Sequence, residues 1–314
     1  MDLDLERIKR FVHDPRQRRR ELLKLGTVAN QTAARCRPSD QGVNVADQEW
    51  DNLLILDACR YDLFEAHHEV PGQLRKTRSL GSQSREFLER NFAGGTHHDV
   101  VYISANPFIS AIDDGVFHAV IDLFDDHWDE EVLTVKPESV VEATLDAHRR
   151  FPNKRLISHF MQPHHPFLGK RGQQFDAGAV TGPSAGAEKG TDCTPPIWFR
   201  LDVGDPAVHR RDVRGAYVEN FKLVEAHAME LLDALDGKSV VTSDHGNLFG
   251  ERLWPIPIRR HGHPPGLRHS ALVDVPWHEV PFETRRETVA DPPRHRDTVT
   301  DDVIRQRLGD LGYA

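Results

Sequence analysis

Two short apolar runs that each end in an acidic residue constrain the fold of this chain more than any other feature. Residues 52–56 lead directly into Asp57, and the β-branched run 239–242 is closely followed by Asp244 and His245. Apolar runs of this length are typical of buried parallel strands, and α/β sheets place their sites at the carboxyl ends of such strands. Each aspartate alone could equally be the N-cap of a following helix. Together the two strand ends could converge on one divalent cation.

Strand-like and helix-like patterns alternate along the rest of the chain. Short β-type runs and segments with helical spacing follow one another at residues 84–92, 99–104, 139–150, 155–160 and 213–235. Such alternation indicates βαβ units, in which parallel strands are connected by helices. We therefore predict an α/β fold with a mostly parallel central sheet and helices on both faces.

The chain of 314 residues divides into three predicted parts. Residues 1–44 form an Arg-rich helical extension, residues 45–290 form the α/β domain, and residues 291–314 form a tail with one short helix. Within the domain, residues 169–197 are rich in Gly, Ala and Ser and have little to bury. We predict that this segment is a flexible insertion that covers the site as a lid.

Composition and charge exclude some classes of protein and favour others. The net charge of −9 argues against sequence-independent binding to nucleic acid, which needs a basic surface. The sequence shows neither an apolar stretch long enough to span a membrane nor a secretory signal, so we expect a cytoplasmic protein. Three widely spaced cysteines suit a reducing compartment. The basic residues within 1–25 leave peripheral contact with a membrane as a further expectation.

Five groups of residues, in order along the chain, resemble the sulfatase-like branch of the alkaline phosphatase superfamily. They are residues 54–62, 79–92, 163–167, 242–251, and 261–263 together with 275–277. The resemblance covers most of the predicted α/β domain. It implies the fold of that superfamily and the hydrolysis or transfer of sulfate, phosphate or phosphonate esters.

The resemblance also implies a hydroxyl nucleophile bound to a divalent metal ion. The implied metal ligands are Asp57, Asp244 and His245, together with the nucleophile Ser84 at the start of a predicted helix. Ser82 is an alternative nucleophile, and Ser84 could instead be a simple N-cap. The second Asp-x-x-x-His motif of two-metal members is absent, so we expect one ion. This ligand set suits Mn, Mg or Ca, with Zn also compatible.

Two histidines resemble residues that contact the transferred group in this superfamily. His164 stands in a His-x-Pro-aromatic element, where it would contact the transferred group or protonate the leaving oxygen. His263 follows a glycine and would contact the substrate oxyanion or a second metal. His165 is the alternative to His164, and His261 is the less favoured alternative to His263.

Cys59 and Arg60 lie two and three residues after Asp57. Arg60 could orient a phosphate or sulfate through its planar donors, or it could pair with Asp62. Cys59 lacks the Cys-x-Pro-Ser-Arg motif that sulfatases oxidise to formylglycine, so we interpret it as a buried structural thiol. The missing motif favours a Ser-dependent reaction on phosphate esters over arylsulfatase activity.

The sequence therefore predicts a metal-dependent hydrolase or transferase that acts on phosphate or sulfate esters through a serine. The ester would belong to a small molecule, a glycan or a lipid. The competing hypothesis is a non-catalytic protein of the same fold that binds an anionic ligand or partner.

Overall fold

The computed structural model describes residues 14–36, 42–176, 196–294 and 307. Most of the predicted lid, the first 13 residues of the extension and nearly all of the predicted tail helix lie outside the described residues. The flanks of the lid segment are described, and each contains a short helix, Lys170–Asp176 and Ile197–Val203.

Eleven strands are described. In chain order they are β1 (Asn52–Asp57), β2 (Gln73–Arg78), β3 (His97–Ser104), β4 (Phe117–Asp122), β5 (Trp128–Asp129), β6 (Thr134–Val135), β7 (Arg155–Pro163), β8 (Ser239–Thr242), β9 (Leu248–Arg252), β10 (Arg259–Gly262) and β11 (Asp274–Glu279).

Nine α-helices are described between and beside these strands. They are α1 (Pro15–Arg35), α2 (Tyr61–His67), α3 (Ser84–Phe92), α4 (Leu123–Asp126), α5 (Pro137–Arg150), α6 (Lys170–Asp176), α7 (Ile197–Val203), α8 (Arg210–Ala234) and α9 (Ser270–Val273). Within the described parts of the chain, no helix combines the length and the apolar character needed to cross a bilayer.

Seven strands form one central sheet in the order β2-β11-β8-β1-β7-β3-β4. Strand β1 pairs in parallel with β7 and β8, and β3 pairs in parallel with β7 and β4. Only β11 is antiparallel to its neighbours β2 and β8. The predicted fold class is therefore confirmed. The sequence did not indicate β2, because this exposed edge strand carries charged side chains in place of an apolar run.

The central strand β1 is buried on both of its faces. Leu54 and Leu56 belong to one hydrophobic cluster, which includes residues of α5 and α8. Leu53 and Ile55 belong to a second cluster, which includes residues of α3. Since successive strand residues point to opposite faces, this division shows that helices cover the sheet on both sides.

The described part of the N-terminal extension is the helix α1. It begins at Asp14, whose carboxylate accepts a hydrogen bond from the Arg16 amide at 2.8 Å, and it has Pro15 in its first turn. The helix packs on α7, and its Asn30 exchanges two hydrogen bonds with Ile256 in the loop of the hairpin formed by β9 and β10. The hairpin itself joins the site described next, because β9 follows Asn247 and β10 leads into His263.

Candidate metal centre and active site

Four neighbouring elements bring ionisable and hydroxyl side chains together at the carboxyl edge of the sheet. Strand β1 ends in Asp57, and the turn after β8 carries Asp244 and His245. Strand β7 contributes His159, and α3 begins at Ser84. All five side chains are fully buried. The arrangement follows from topology, because β7, β1 and β8 are adjacent parallel strands that end at the same edge.

Three atoms of this group have no hydrogen-bond partner within the described parts of the chain. They are Asp57 Oδ1, His159 Nε2 and Asp244 Oδ2. The metal-ligating atoms of these three residues all lie within 4.8 Å of one another. Buried polar atoms without partners are costly and rare, so a group of three that face each other needs an explanation. A divalent cation would satisfy all three, and mixed carboxylate and imidazole ligands suit such an ion.

The two carboxylates are held by hydrogen bonds on their other oxygens. Asn106 donates its side-chain amide to Asp57 Oδ2 at 2.6 Å. The amides of Ala58 and His245 donate to Asp244 Oδ1 at 3.0 and 2.8 Å. These contacts leave Asp57 Oδ1 and Asp244 Oδ2 directed at the shared space, as outer contacts of metal ligands typically do.

The two imidazoles are oriented in the same manner. His245 Nδ1 lies 2.7 Å from the Gly246 carbonyl oxygen, which can only accept, so Nδ1 carries a hydrogen and Nε2 is the nitrogen that faces the shared space. Nε2 of His245 lies 3.5 Å from Asp57 Oδ1 and 3.4 Å from Asp244 Oδ2. His159 Nδ1 is 2.9 Å from the Tyr102 hydroxyl. At 3.7 Å from Asp244 Oδ2, His159 Nε2 is too distant for a hydrogen bond to that oxygen.

The two aspartates titrate very differently when no cation lies between them. Burial, and then the charge of Asp244, raises the pKa of Asp57 well above its ordinary value. Burial also acts to raise the pKa of Asp244, but the neighbouring imidazoles of His245 and His159 hold this pKa below its usual range. The protein alone therefore disfavours two carboxylate charges here, and a cation between them would stabilise both.

The structure brings Ser84, and not Ser82, to this group. Ser84 Oγ is 3.3 Å from Asp57 Oδ2 and 3.3 Å from His245 Nε2. Ser82 Oγ instead donates to a carboxylate oxygen of Glu86 at 2.9 Å. The N-cap residue Gln83 makes no side-chain hydrogen bond to the first turn of α3. The first-turn amides and the helix dipole beside Ser84 therefore favour an anion.

A row of imidazole rings extends from the centre. The ring centroid of His263 is 4.7 Å from that of His245 and 4.9 Å from that of His164. Burial, then the charges of His245 and His165, lowers the pKa of His164 to about 3. Burial, and then His245 and His164, also lowers the pKa of His263 well below its ordinary value. Both rings are therefore neutral near pH 7 in the protein without ligand.

The alternative histidines lie elsewhere. The ring of His165 packs on Phe167 with its centroid 5.2 Å away. His261 Nδ1 is 3.0 Å from a carboxylate oxygen of Asp202, on the side of the hairpin toward α7. Of the two pairs of histidines, the structure therefore brings His164 and His263 to the row.

Arg60 adopts the ion-paired arrangement. Its Nε and Nη2 donate to the two carboxylate oxygens of Asp62 at 2.7 and 2.8 Å. Its Nη1 donates to Glu251 at 2.6 Å and to the Asn247 carbonyl at 2.9 Å. Burial acts to lower the pKa of Arg60, but the two carboxylates raise it overall. The guanidinium therefore ties α2 to the turn before β9.

Cys59 is a free, fully buried thiol. Burial, and then the charges of Glu225, Asp62 and Asp244, raises the pKa of this thiol well above its ordinary value. A thiol of this kind stays protonated and is a poor nucleophile.

The sequence interpretation did not select His159, Tyr102 or Asn106. A signal for His159 was present, since it is an imidazole inside the apolar run 155–160. Its relation to the centre depends on the register of the sheet, in which it pairs with Ile55 of β1. That register is not readable from the run alone.

The chain was compared with protein-family models, curated protein sequences and solved structures. No protein-family model matches the chain, and no curated protein sequence matches it either. The C-terminal periplasmic domain of EcEptC from Escherichia coli is similar at 12% identity and a TM-score of 0.42, over 77% of this chain and 76% of that chain. A structure of the same domain in complex with Zn is also similar.

Two further structures are similar at comparable levels. The C-terminal periplasmic domain of the phosphoethanolamine transferase EptC from Campylobacter jejuni has 13% identity and a TM-score of 0.40, over 73% of this chain and 77% of that chain. The phosphonate monoester hydrolase SpPMH from Silicibacter pomeroyi has 14% identity and a TM-score of 0.38, over 83% and 72%.

All of these likenesses are below 25% identity and below a TM-score of 0.5, so the resemblance to the sulfatase-like branch of the alkaline phosphatase superfamily stays a prediction from the motifs. At these identities the likeness concerns the fold alone. The expectation of a cytoplasmic protein is wrong by this comparison, because the similar chains include periplasmic domains.

Proposed function

We propose that this protein is a metal-dependent hydrolase or transferase of phosphate or sulfate esters with Ser84 as its nucleophile. The observation that carries the proposal is the position of Ser84. Its hydroxyl lies 3.3 Å from both Asp57 and His245, beside three buried atoms that lack hydrogen-bond partners. A helix-capping serine would not require such a neighbourhood.

We assign the metal centre to Asp57, His159, Asp244 and His245, with Ser84 beside them. When bound, a divalent cation lowers the pKa of the nucleophile and neutralises charge on the transferred group. His159 would present Nε2 to the ion while its Nδ1–H donates to Tyr102, 2.9 Å away. The carboxylates and imidazoles are fully buried and fixed by outer hydrogen bonds, so the centre is preorganised.

The substrate group would lie between Ser84 and the imidazole row. First-turn amides of α3 would donate to its oxygens, as helix N-termini do to phosphate. Ser84 Oγ would form a bond to phosphorus or sulfur as the bond to the leaving oxygen breaks, and the proton that the serine hydroxyl gives up would balance the one that the leaving oxygen takes up. Water, or an acceptor hydroxyl, would then release the group from the serine.

His164 is suited to the second of these steps. Its Nδ1–H donates to the His165 carbonyl oxygen, so Nε2 is the unprotonated nitrogen. A bound anionic group would raise the pKa of this ring from its low value in the unliganded protein, and Nε2 would then accept the proton of the incoming water or hydroxyl. His263 would contact the transferred group beside it. Arg60 is saturated by Asp62 and Glu251, so we propose that it positions the turn before β9 and does not bind substrate.

The test compares Ser84→Ala with Ser82→Ala, a buried serine in the same turn whose hydroxyl bonds Glu86. Protein loaded with Mn²⁺ or Zn²⁺ is assayed on a chromogenic phosphomonoester, phosphodiester and sulfate ester. Ser84→Ala should lower turnover at least about a thousandfold, and Ser82→Ala by far less. Mass spectrometry of quenched reactions should find a phosphoryl or sulfuryl adduct on the peptide that contains Ser84.

Equal activity of the two variants would contradict the assignment of the nucleophile. Tight metal binding without turnover or adduct on any ester would support the competing hypothesis, a non-catalytic protein that binds an anion.

A further inference from the structure

The most buried residues of helix α1 are small or polar, and three of its four large apolar residues are exposed. Its buried residues are Gly26, Thr27 and Asn30. Three large apolar residues are instead exposed, at 61% for Leu22, 69% for Leu25 and 58% for Val28. An amphipathic helix of a soluble domain normally shows the opposite arrangement. The outward side of α1 therefore has the character of a binding surface.

The inward side of α1 rests on the loop between β9 and β10. Asn30 donates to the Ile256 carbonyl at 2.9 Å and accepts from the Ile256 amide at 2.8 Å. Gly26 lies against the same loop, where a Cβ would come within 2.9 Å of Ile258. The loop exposes 66% of Trp254 and 40% of Ile256.

The exposed apolar residues of α1 lie on one side of the helix, and those of the loop lie on the segment that contacts the helix, so we treat them together as the α1–hairpin surface. It consists of Leu22, Leu25, Val28, Trp254 and Ile256. Among the residues that the structure describes, only two other large apolar side chains are exposed, Phe282 and Val289. Exposed apolar residues are thus concentrated here, as at sites of interaction.

Helix α1 and the loop are basic in an otherwise acidic protein, although Arg19 and Arg20 lie against Gly204 and Phe199 on the side toward α7. The chain carries a net charge of −9. Helix α1 nevertheless has a single acidic residue, Glu21, against six basic ones: Arg16, Arg18, Arg19, Arg20, Lys24 and Arg35. Arg252 and Arg259, both exposed, flank the loop that carries Trp254. The surface is therefore complementary to an apolar partner with negative charge.

We propose that the α1–hairpin surface docks on the face of an anionic phospholipid bilayer. Leucine and tryptophan side chains would enter the boundary between headgroups and acyl chains, and the arginines would contact lipid phosphates. A second copy of this chain fits less well, because self-association would bring two basic helices together. The interior of a protein interface is also depleted of charged residues such as these. The proposal is independent of the function proposed above.

Sedimentation with lipid vesicles tests this proposal on the full chain. Wild-type protein should bind vesicles of mixed phosphatidylcholine and phosphatidylglycerol and not vesicles of phosphatidylcholine alone. Binding should fall as salt rises, because the Debye length shrinks from about 8 Å at physiological ionic strength to about 3 Å at 1 M. The fluorescence of Trp254 should become protected from acrylamide quenching when vesicles are added. This fluorescence is obtained by subtracting the emission of a Trp254→Phe variant from that of the wild type.

Two variants separate the apolar and the charged contributions. Leu25→Glu with Val28→Glu should lower the partition coefficient at least about tenfold, because both side chains then resist burial and repel the lipid. Arg18→Glu should lower it by more than about fivefold, the effect expected for loss of one cation near the bilayer. The matched control is Val289→Glu, at an apolar residue of similar exposure outside the surface, and it should bind as wild type does.

The proposal would be overturned if wild-type protein bound neither kind of vesicle. It would also be overturned if the Val289→Glu control lost as much vesicle binding as the variants of the α1–hairpin surface. Light scattering tests self-association. The proposal would also be overturned if the wild-type protein were a dimer that does not bind vesicles and Leu25→Glu converted it to a monomer. Thermal unfolding checks that the double variant folds. If it does not, Trp254→Ser, in an exposed loop, replaces it in the same assay.

Discussion

A pair of substitutions at His159 and Tyr102 tests whether the buried centre binds a metal ion. His159→Phe removes the Nε2 atom that faces Asp244 and lacks a hydrogen-bond partner. Tyr102→Phe removes only the hydroxyl 2.9 Å from His159 Nδ1, which orients the ring. Both side chains are fully buried, and both new side chains are of similar volume, so the strands should keep their positions.

The expected losses of affinity follow from these contacts. An outer hydrogen bond to a metal ligand typically contributes 10–100-fold to metal affinity, so Tyr102→Phe should cost about 1.4–2.7 kcal/mol of binding free energy. His159→Phe should cost at least as much, because the ligand itself is lost. If Tyr102 acts only through His159, the double variant should bind as weakly as His159→Phe alone, which is a strongly non-additive result.

Stability without metal should change differently. His159→Phe leaves the buried Tyr102 hydroxyl without this partner, which costs about 1–3 kcal/mol of unfolding free energy. The double variant removes both groups and should regain most of that loss.

Isothermal titration with Mn²⁺ and Zn²⁺ measures the affinities, and urea unfolding of the metal-free proteins measures the stabilities. The control is His118→Gln, at another buried histidine, which contacts Asp291 and Phe151 and no residue of the centre. Wild-type affinity in folded His159→Phe would refute the reasoning and make His159 an ordinary core residue. Additive losses in the double variant would show that Tyr102 acts by another route.

Three further predictions concern stability. Chelation should lower the melting temperature in calorimetry. A cation at about 100 times its Kd should restore about 2.7 kcal/mol of unfolding free energy. An unchanged melting temperature with Mn, Zn, Mg and Ca would contradict a metal centre. Lys154→Met should lower the unfolding free energy by about 3 kcal/mol, because the buried ammonium donates to two carbonyl oxygens and, at 2.7 Å, to Asp291. An unchanged midpoint of urea unfolding would contradict this prediction. Burial acts to raise the pKa of Asp51, but hydrogen bonds from Arg285 and two backbone amides lower it overall. The stability from this carboxylate is therefore present above its unfolded pKa of about 3.9 and is lost as pH falls through the lower folded value. Asp51→Asn should be less stable than wild type at pH 7 and should lose less stability than wild type between pH 5 and pH 2. Parallel curves of unfolding free energy against pH for the two proteins would contradict this role of Asp51.

The sequence alone determined the class of the fold and most of its inner elements. Strand β1, strand β8 and helix α3 are readable because each is a continuous apolar run or a periodic segment, and local patterns of this kind reflect burial directly. Asp57 and Asp244 are readable for the same reason, since they end such runs. The edge strand β2 escaped detection because its side chains are largely exposed and charged, so no burial pattern marks it.

Tertiary structure alone decided which polar residues meet. His159 joins the centre because β7 lies beside β1 in parallel, with His159 opposite Ile55. The sequence of an apolar run does not specify which strand it pairs with or in which register. The same holds for the choice of Ser84 over Ser82, which depends on whether a hydroxyl faces Asp57 or Glu86. Arg60 was equally ambiguous until the fold placed Glu251, nearly 200 positions later, within 2.6 Å of its guanidinium. The contacts of His159, Ser84 and Arg60 with the residues named above join positions far apart in the chain, so local sequence determines what a residue can do and packing determines with which partner it does so.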